Sequence, residues 1–211
     1  MPASPPPVLP DERLAAGAAR LAAQHTGHFS AETVRHLVAD SYAQLAAAAR
    51  ARTHLVVMAE RPAAERLDAL AHTQATGGAG LPRVLFVAAT TPSAPQTAAA
   101  LLRPRAGGRV TASSAGTDPA AEVEPEVAQV LSEAGGSLED AFPKPLTDEV
   151  VQAADIVVTR GCGDACPIVP GRRYLDWPVA DPAGAPITAV RAIRDEIDTH
   201  IPDLLTTLPD T

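Results

Sequence analysis

The chain has 211 residues, room for one ordinary domain and a small second one; 46% are hydrophobic, only 3% aromatic, and the formal net charge is −8. The acidity argues against nucleic acid and anionic membranes as main partners. No apolar run approaches the ~20 residues of a membrane span, so no membrane partner is expected.

Residues 1–10, MPASPPPVLP, are proline-rich and carry no basic, apolar leader pattern; a disordered tail is predicted there. From residue 11 to 75 the pattern is helical. ERLAAGAARLAAQH sets Leu14, Ala18 and Leu21 on one face. Ser30 stands as an N-cap before AETVRHLVADSYAQLAAAARA, whose stripe is Val34, Leu37, Val38, Tyr42 and Leu45. HLVVMAERPAAERLDALAHTQ adds Leu55, Met58, Leu67 and Leu70, with Pro62 expected to kink or interrupt the helix. A bundle this small has little core of its own. Its stripes are expected to pack on a second copy, giving a homodimer; the alternative is packing on each other and on the main domain.

Residues 76–81, around TGGAG, are predicted as a linker, and 82–211 as an α/β domain. Strands are predicted at Arg83–Ala88, Arg109–Ser113 and Asp155–Thr159, and helices at Pro95–Leu102, Glu124–Ala134, Thr147–Ala153 and Ile187–Leu205. Such alternation implies a parallel sheet with helices on both faces. The stretch VLFVAATTPSAPQTAAALL reads as a strand, a loop of small residues and a helix, an order that aims backbone N–H groups at an anion. Yet the loop holds no Cys, Arg, Lys, His or Asn.

The six histidines form no HExxH or comparable pattern, and neither metal nor cofactor is expected. Cys162 and Cys166 are two ligands, too few for structural zinc. A disulfide between them is geometrically demanding, and Arg160 and Asp164 would pull their thiols in opposite directions. Two close cysteines are no secreted disulfide framework, which places the chain in the cytoplasm.

VLFV with its following AAALL, then SSAGTDP, KPLTDEVVQAADIVVTRGCGDACP, YLDWPVADPAG and AIRDEI, occur in one order. Together they resemble the arsenate reductases of the low-molecular-weight protein tyrosine phosphatase fold. The likeness covers Pro82 to about Thr207, and the helical segment resembles the three-helix extension of some actinobacterial members. In that family the first loop is Cys-x5-Arg-Ser. The thiolate attacks phosphorus or arsenic and the Arg grips the oxyanion. Here the Cys position is Ala88, the Arg position Ala94, the Ser position Pro95 and the usual loop Asn position Thr91. The resemblance places Asp181 as the general acid, and Cys162 and Cys166 near the resolving cysteines of redox members.

Three functions follow as expectations. The first is a pseudoenzyme that binds a ligand or partner without the family's chemistry. The second is an enzyme repurposed for a small organic substrate, with Asp181 as acid or base and Ala88, Thr90, Thr91, Ser93 and Ala94 around the pocket. The third is residual thiol redox through Cys162 and Cys166. With no guanidinium at position 94 to balance Asp181, the pocket is expected to prefer neutral or cationic compounds.

Overall fold

Leucine and valine at helical spacing must be covered, and the N-terminal segment covers them within itself. In the computed structural model, which describes residues 12–48, 55–75, 80–88, 93–116, 123–136, 144–160 and 168–208, the chain divides into units Met1–Gly78 and Ala79–Thr211. The predicted tail, most of the linker, Thr90, Thr91, Cys162 and Cys166 lie outside the described residues.

The first unit comprises helices α1 (Glu12–Gln24), α2 (Ala31–Ala48) and α3 (Leu55–Gln74). Leu14, Leu21, Val34, Val38, Leu55 and Leu67 are buried in one cluster, with Tyr42, Met58 and Leu70 packed against it. Each such Leu or Val is worth about 1.5–3 kcal/mol when fully buried. Ser30 caps α2: its Oγ accepts the Thr33 N–H at 3.0 Å. The α2–α3 seam holds a buried guanidinium, Arg66, whose Nη1 donates to Asp40 Oδ2 at 2.6 Å and to Ser41 Oγ at 3.2 Å. On the α1–α3 seam Arg20 grips both oxygens of Glu60, at 2.8 and 2.9 Å. Gly17 makes that approach feasible, because a Cβ there would come within 2.1 Å of Glu60 Oε1.

Of the kink or interruption expected at Pro62, the interruption does not occur: α3 continues through it. Pro62 is buried, as are Ala59 and Ala63. Burial of that face compensates for the N–H that proline cannot donate to the preceding turn.

The second unit alternates as β1 (Arg83–Ala88), α4 (Ser93–Ala106), β2 (Thr111–Gly116), α5 (Pro125–Glu133), α6 (Asp148–Ala153), β3 (Ile156–Arg160), β4 (Arg173–Asp176) and α7 (Ile187–Thr206). The strands form a sheet of order β2-β1-β3-β4, and all pairs are parallel. Val84, Phe86, Ile156 and Val158 pack against α4 and α7, whereas Leu85, Val87 and Val157 face Val151 of α6. This is the fold expected, a parallel sheet with helices on both faces. Strand β2 starts and ends later than the predicted Arg109–Ser113, α4 runs past the predicted Leu102 to Ala106, the other boundaries shift by a residue or two, and the short edge strand β4 is added. No described helix is long and apolar enough to cross a membrane.

Helix α5 packs on α7 through Val127, Val130, Leu131 and Val190, and a charge pair closes that seam. Arg191 donates to Glu133 at 2.9 Å through Nε and 2.7 Å through Nη2. The hydrogen bond from Arg191, with a second from Gln129, pulls the Glu133 pKa from 4.5 down to about 2. A depressed carboxyl stabilises the fold above its unfolded pKa, and that share is lost as pH falls through the folded value. The wild-type advantage over Glu133→Gln in urea unfolding is therefore expected to be full above pH 4.5 and to vanish between there and about 2. An advantage undiminished at about pH 2 would overturn this. For the bundle, Ser30→Ala is expected to cost about 1 kcal/mol through the lost cap, read from the same unfolding curves.

Candidate functional site

The strand order turns between β1 and β3: the chain leaves β1 for β2 on one side and later returns to lay β3 on the other. Sheets of this type bind ligands at such a point, beyond the C-terminal ends of the strands. The residues that end the strands there are thus the ones to read. Ala88 ends β1, fully buried, and its register partners are Gly116 on β2 and Arg160 on β3. One residue past the Thr159–Asp176 pair, the Trp177 N–H still donates to the Thr159 carbonyl at 2.8 Å, so the ladder carries Trp177 to the same edge.

Helix α4 begins at Ser93, the next described residue after β1. Ala94 is buried, and Pro95 follows within the first turn, where a missing N–H costs little. Ala94, Pro95 and Arg160 share the walls of a cavity with Phe86, Ala98, Val158, Trp177, Val179 and Ile197. Its volume is about 20 Å³, enough for one water-sized group. The Trp177 ring is fixed on two sides, tilted against Phe86 at 5.5 Å and stacked on His200 at 5.0 Å.

Asp181 is not among the wall residues and reaches the cavity through Arg160. Arg160 Nη2 lies 3.4 Å from Asp181 Oδ2, and Nη1 donates to the Val179 carbonyl at 3.1 Å. The other Asp181 oxygen accepts the Ala183 N–H at 3.0 Å. A turn follows, closed by Ala185 N–H to Pro182 carbonyl at 3.1 Å, and Gly184 supplies the positive φ it needs, 67°. Gly184 N–H donates to Glu124 Oε2 at 2.8 Å, tying this turn to the residue before α5.

The expectation that no guanidinium balances Asp181 is therefore corrected. Position 94 supplies none, but Arg160 does so from the neighbouring strand. A free acidic group was the ground for expecting cationic ligands, and that ground is removed. Of the other expected pocket residues, Ser93 is placed as the first residue of α4. Arg160 is the candidate that sequence reading left out of the pocket. Its signal was the charge that ends the apolar run DIVVTR, at the end of a strand neighbouring β1. Among the described residues no three His, Cys, Asp or Glu side chains converge as a metal site would require.

The profile of the low molecular weight phosphotyrosine protein phosphatases matches residues 83–211, and that of the N-terminal domain of protein-tyrosine-phosphatase-like proteins matches 14–71. Among solved structures, a Corynebacterium glutamicum thioredoxin-dependent arsenate reductase is 42% identical, with 94% of this chain and 98% of that one covered at a TM-score of 0.82. The arginine phosphatase YwlE of Geobacillus stearothermophilus is 28% identical over 59% of this chain and 91% of its own, at a TM-score of 0.53. A Halobacterium salinarum protein provisionally named an arsenate reductase is 35% identical over 89 residues, 42% of this chain. That match spans 63% of the relative's own length. On the match over 83–211, this chain belongs to the low molecular weight phosphotyrosine protein phosphatase family, and its α/β unit follows a helical domain of the phosphatase-like N-terminal type.

Proposed function

We propose that this chain is a degenerate member of the family, a pseudoenzyme that binds a small organic ligand or a partner without reducing arsenate or hydrolysing phosphate esters. The observation that carries the reading is the pair of alanines at the ligand edge. Ala88 closes β1 with no thiol, and Ala94 stands in the first turn of α4 with no guanidinium. Without a nucleophile the covalent step of the family has no electron pair to begin with. Arg160 is no substitute clamp as it stands, because its charge already faces Asp181. The relatives named arsenate reductases make the opposite expectation reasonable, so the test is direct. The purified full chain is expected to turn over neither arsenate, with thioredoxin and its reductase supplied, nor an aryl phosphate. Turnover that a Cys162→Ser, Cys166→Ser or Asp181→Asn change abolishes would overturn the reading.

A second reading, an enzyme repurposed for a small organic substrate, draws on Asp181. A carboxylate is held beside the cavity by a turn and an ion pair, which is a suitable station for an acid or base. Its mark would be conversion of a bound compound that Asp181→Asn stops without loss of binding. Thiol redox through Cys162 and Cys166 is a third reading, and both cysteines lie outside the described residues. A cytoplasmic location stays a proposal on cysteine usage.

A homodimer through the N-terminal helices is also proposed. The stripes that suggested it are buried within the bundle, so its support is the exposed face of α3, where Val57 is 65% exposed. Light scattering of the full chain is expected to show a dimer that Val57→Glu converts to a monomer. A monomeric wild-type particle would reject it.

A further inference from the structure

Trp177 joins the slot to the surface of α7. Its indole lines the slot beside Phe86, against which it is tilted at 5.5 Å. Its second ring contact is the imidazole of His200, stacked at 5.0 Å with 22° between the planes. Trp177 is buried, whereas His200, on α7, is half-buried. Histidine is the side chain whose charge ordinarily changes between about pH 5 and 8. A charged imidazole within about 6 Å of an indole is attracted by the negative face of the ring, and a neutral one lacks that attraction. The stack therefore has two strengths, set by one proton.

We propose that His200 and Trp177 form a proton-operated lock on the wall of the slot. Charged His200 holds the indole in place and keeps the slot narrow. Neutral His200 holds it by packing alone, and the ring swings more freely to admit a small molecule. As a control on ligand entry the lock rests on the reading of this slot as a ligand site; the coupling of the proton to the ring does not. The charged groups nearest His200 in sequence belong to α7: Glu196 one turn before and Asp203 one turn after, both exposed. On β4, Arg173 shares the face of Leu175, which packs in the same cluster as Trp177. Helices α4 and α5 meet α7 with charges that have partners: Arg105 on Asp198, Arg103 on the Ala112 carbonyl and Glu133 on Arg191. On α7 itself Arg194 pairs with Asp195, and Arg160, on another wall of the slot, faces Asp181. No second histidine is near, because the other five stand between residues 25 and 72, in the helical unit.

Trp177 is the single tryptophan of the chain, so its fluorescence reads the lock in the full-length protein. The probe is acrylamide, a neutral quencher that must reach the ring. Its quenching rate constant, from intensities and lifetimes together at constant ionic strength, is expected to be about twofold to fivefold larger at about pH 8 than at about pH 5.5. His200→Gln, uncharged at both, should give the fast value at both. His200→Arg, charged at both, should give the slow value at both. No step in the wild type, an equal step in His200→Gln, or a step that persists in His200→Arg overturns the proposal. A wild-type chain without the step rejects the lock whether or not the variants fold, and if His200→Gln does not fold, His200→Arg decides. Arsenate or aryl phosphate turnover would overturn the pseudoenzyme reading by itself, whereas the quenching measurement judges the lock.

Discussion

The parallel pairing of β1 with β3 governs the candidate site. It aligns Ala88 with Arg160, extends through β4 to bring Trp177 to the same edge, and so fixes what surrounds the end of β1. A guanidinium only 18% exposed needs a counter-charge and acceptors, because isolated burial of charge is costly. Asp181 faces one terminal nitrogen and the Val179 carbonyl accepts from the other. The segment carrying both is then fastened outward, Gly184 to Glu124 ahead of α5, and α5 to α7 through Glu133 and Arg191. The turn that resemblance assigns to acid catalysis is, in this chain, also the turn that answers the charge of Arg160.

That arrangement changes how the two alanines are understood. Removing a thiol and a guanidinium from a packed edge ordinarily leaves space, and space costs stability in proportion to its volume. Here the remaining cavity is about 20 Å³. Phe86, Trp177 and the Arg160 side chain occupy its surroundings, and Trp177 is itself wedged between Phe86 and His200. The largest groups at this edge are aromatic rings and one ion pair.

The parts legible in the sequence were those with a strong period. The bundle stripes through Val34, Val38 and Leu67, and the apolar run of β1, each bury what their spacing implies. Strand β2 was displaced because Thr-Ala-Ser-Ser-Ala-Gly has no bulky apolar residue to mark it; its small side chains suit a strand packed closely under α4. Strand β4 was missed because Arg173–Asp176 is a four-residue edge with no fully buried position, so neither length nor hydrophobicity distinguishes it from loop. Helix α3 continues through Pro62 because burial of that face offsets the hydrogen bond that local propensity counts as lost. The site was half legible: the residues at 88 and 94 could be read from motif order, but the Arg160–Asp181 pair depends on which strands become neighbours. Strand order is a property of the whole sheet, and no window of sequence contains it.

The same neighbourhood bears on whether the ancestral chemistry could be rebuilt. Ala88→Cys alone would place a thiol beside Arg160 across the β1–β3 register, an environment that favours thiolate. Ala94→Arg, however, would add a guanidinium to a wall that already carries one, in a slot sized for a methyl group. The added side chain would have to be accommodated beside Trp177, which lines the same slot. Overpacking of that kind costs about 1–3 kcal/mol before any ligand is bound. An oxyanion clamp therefore cannot be restored position by position.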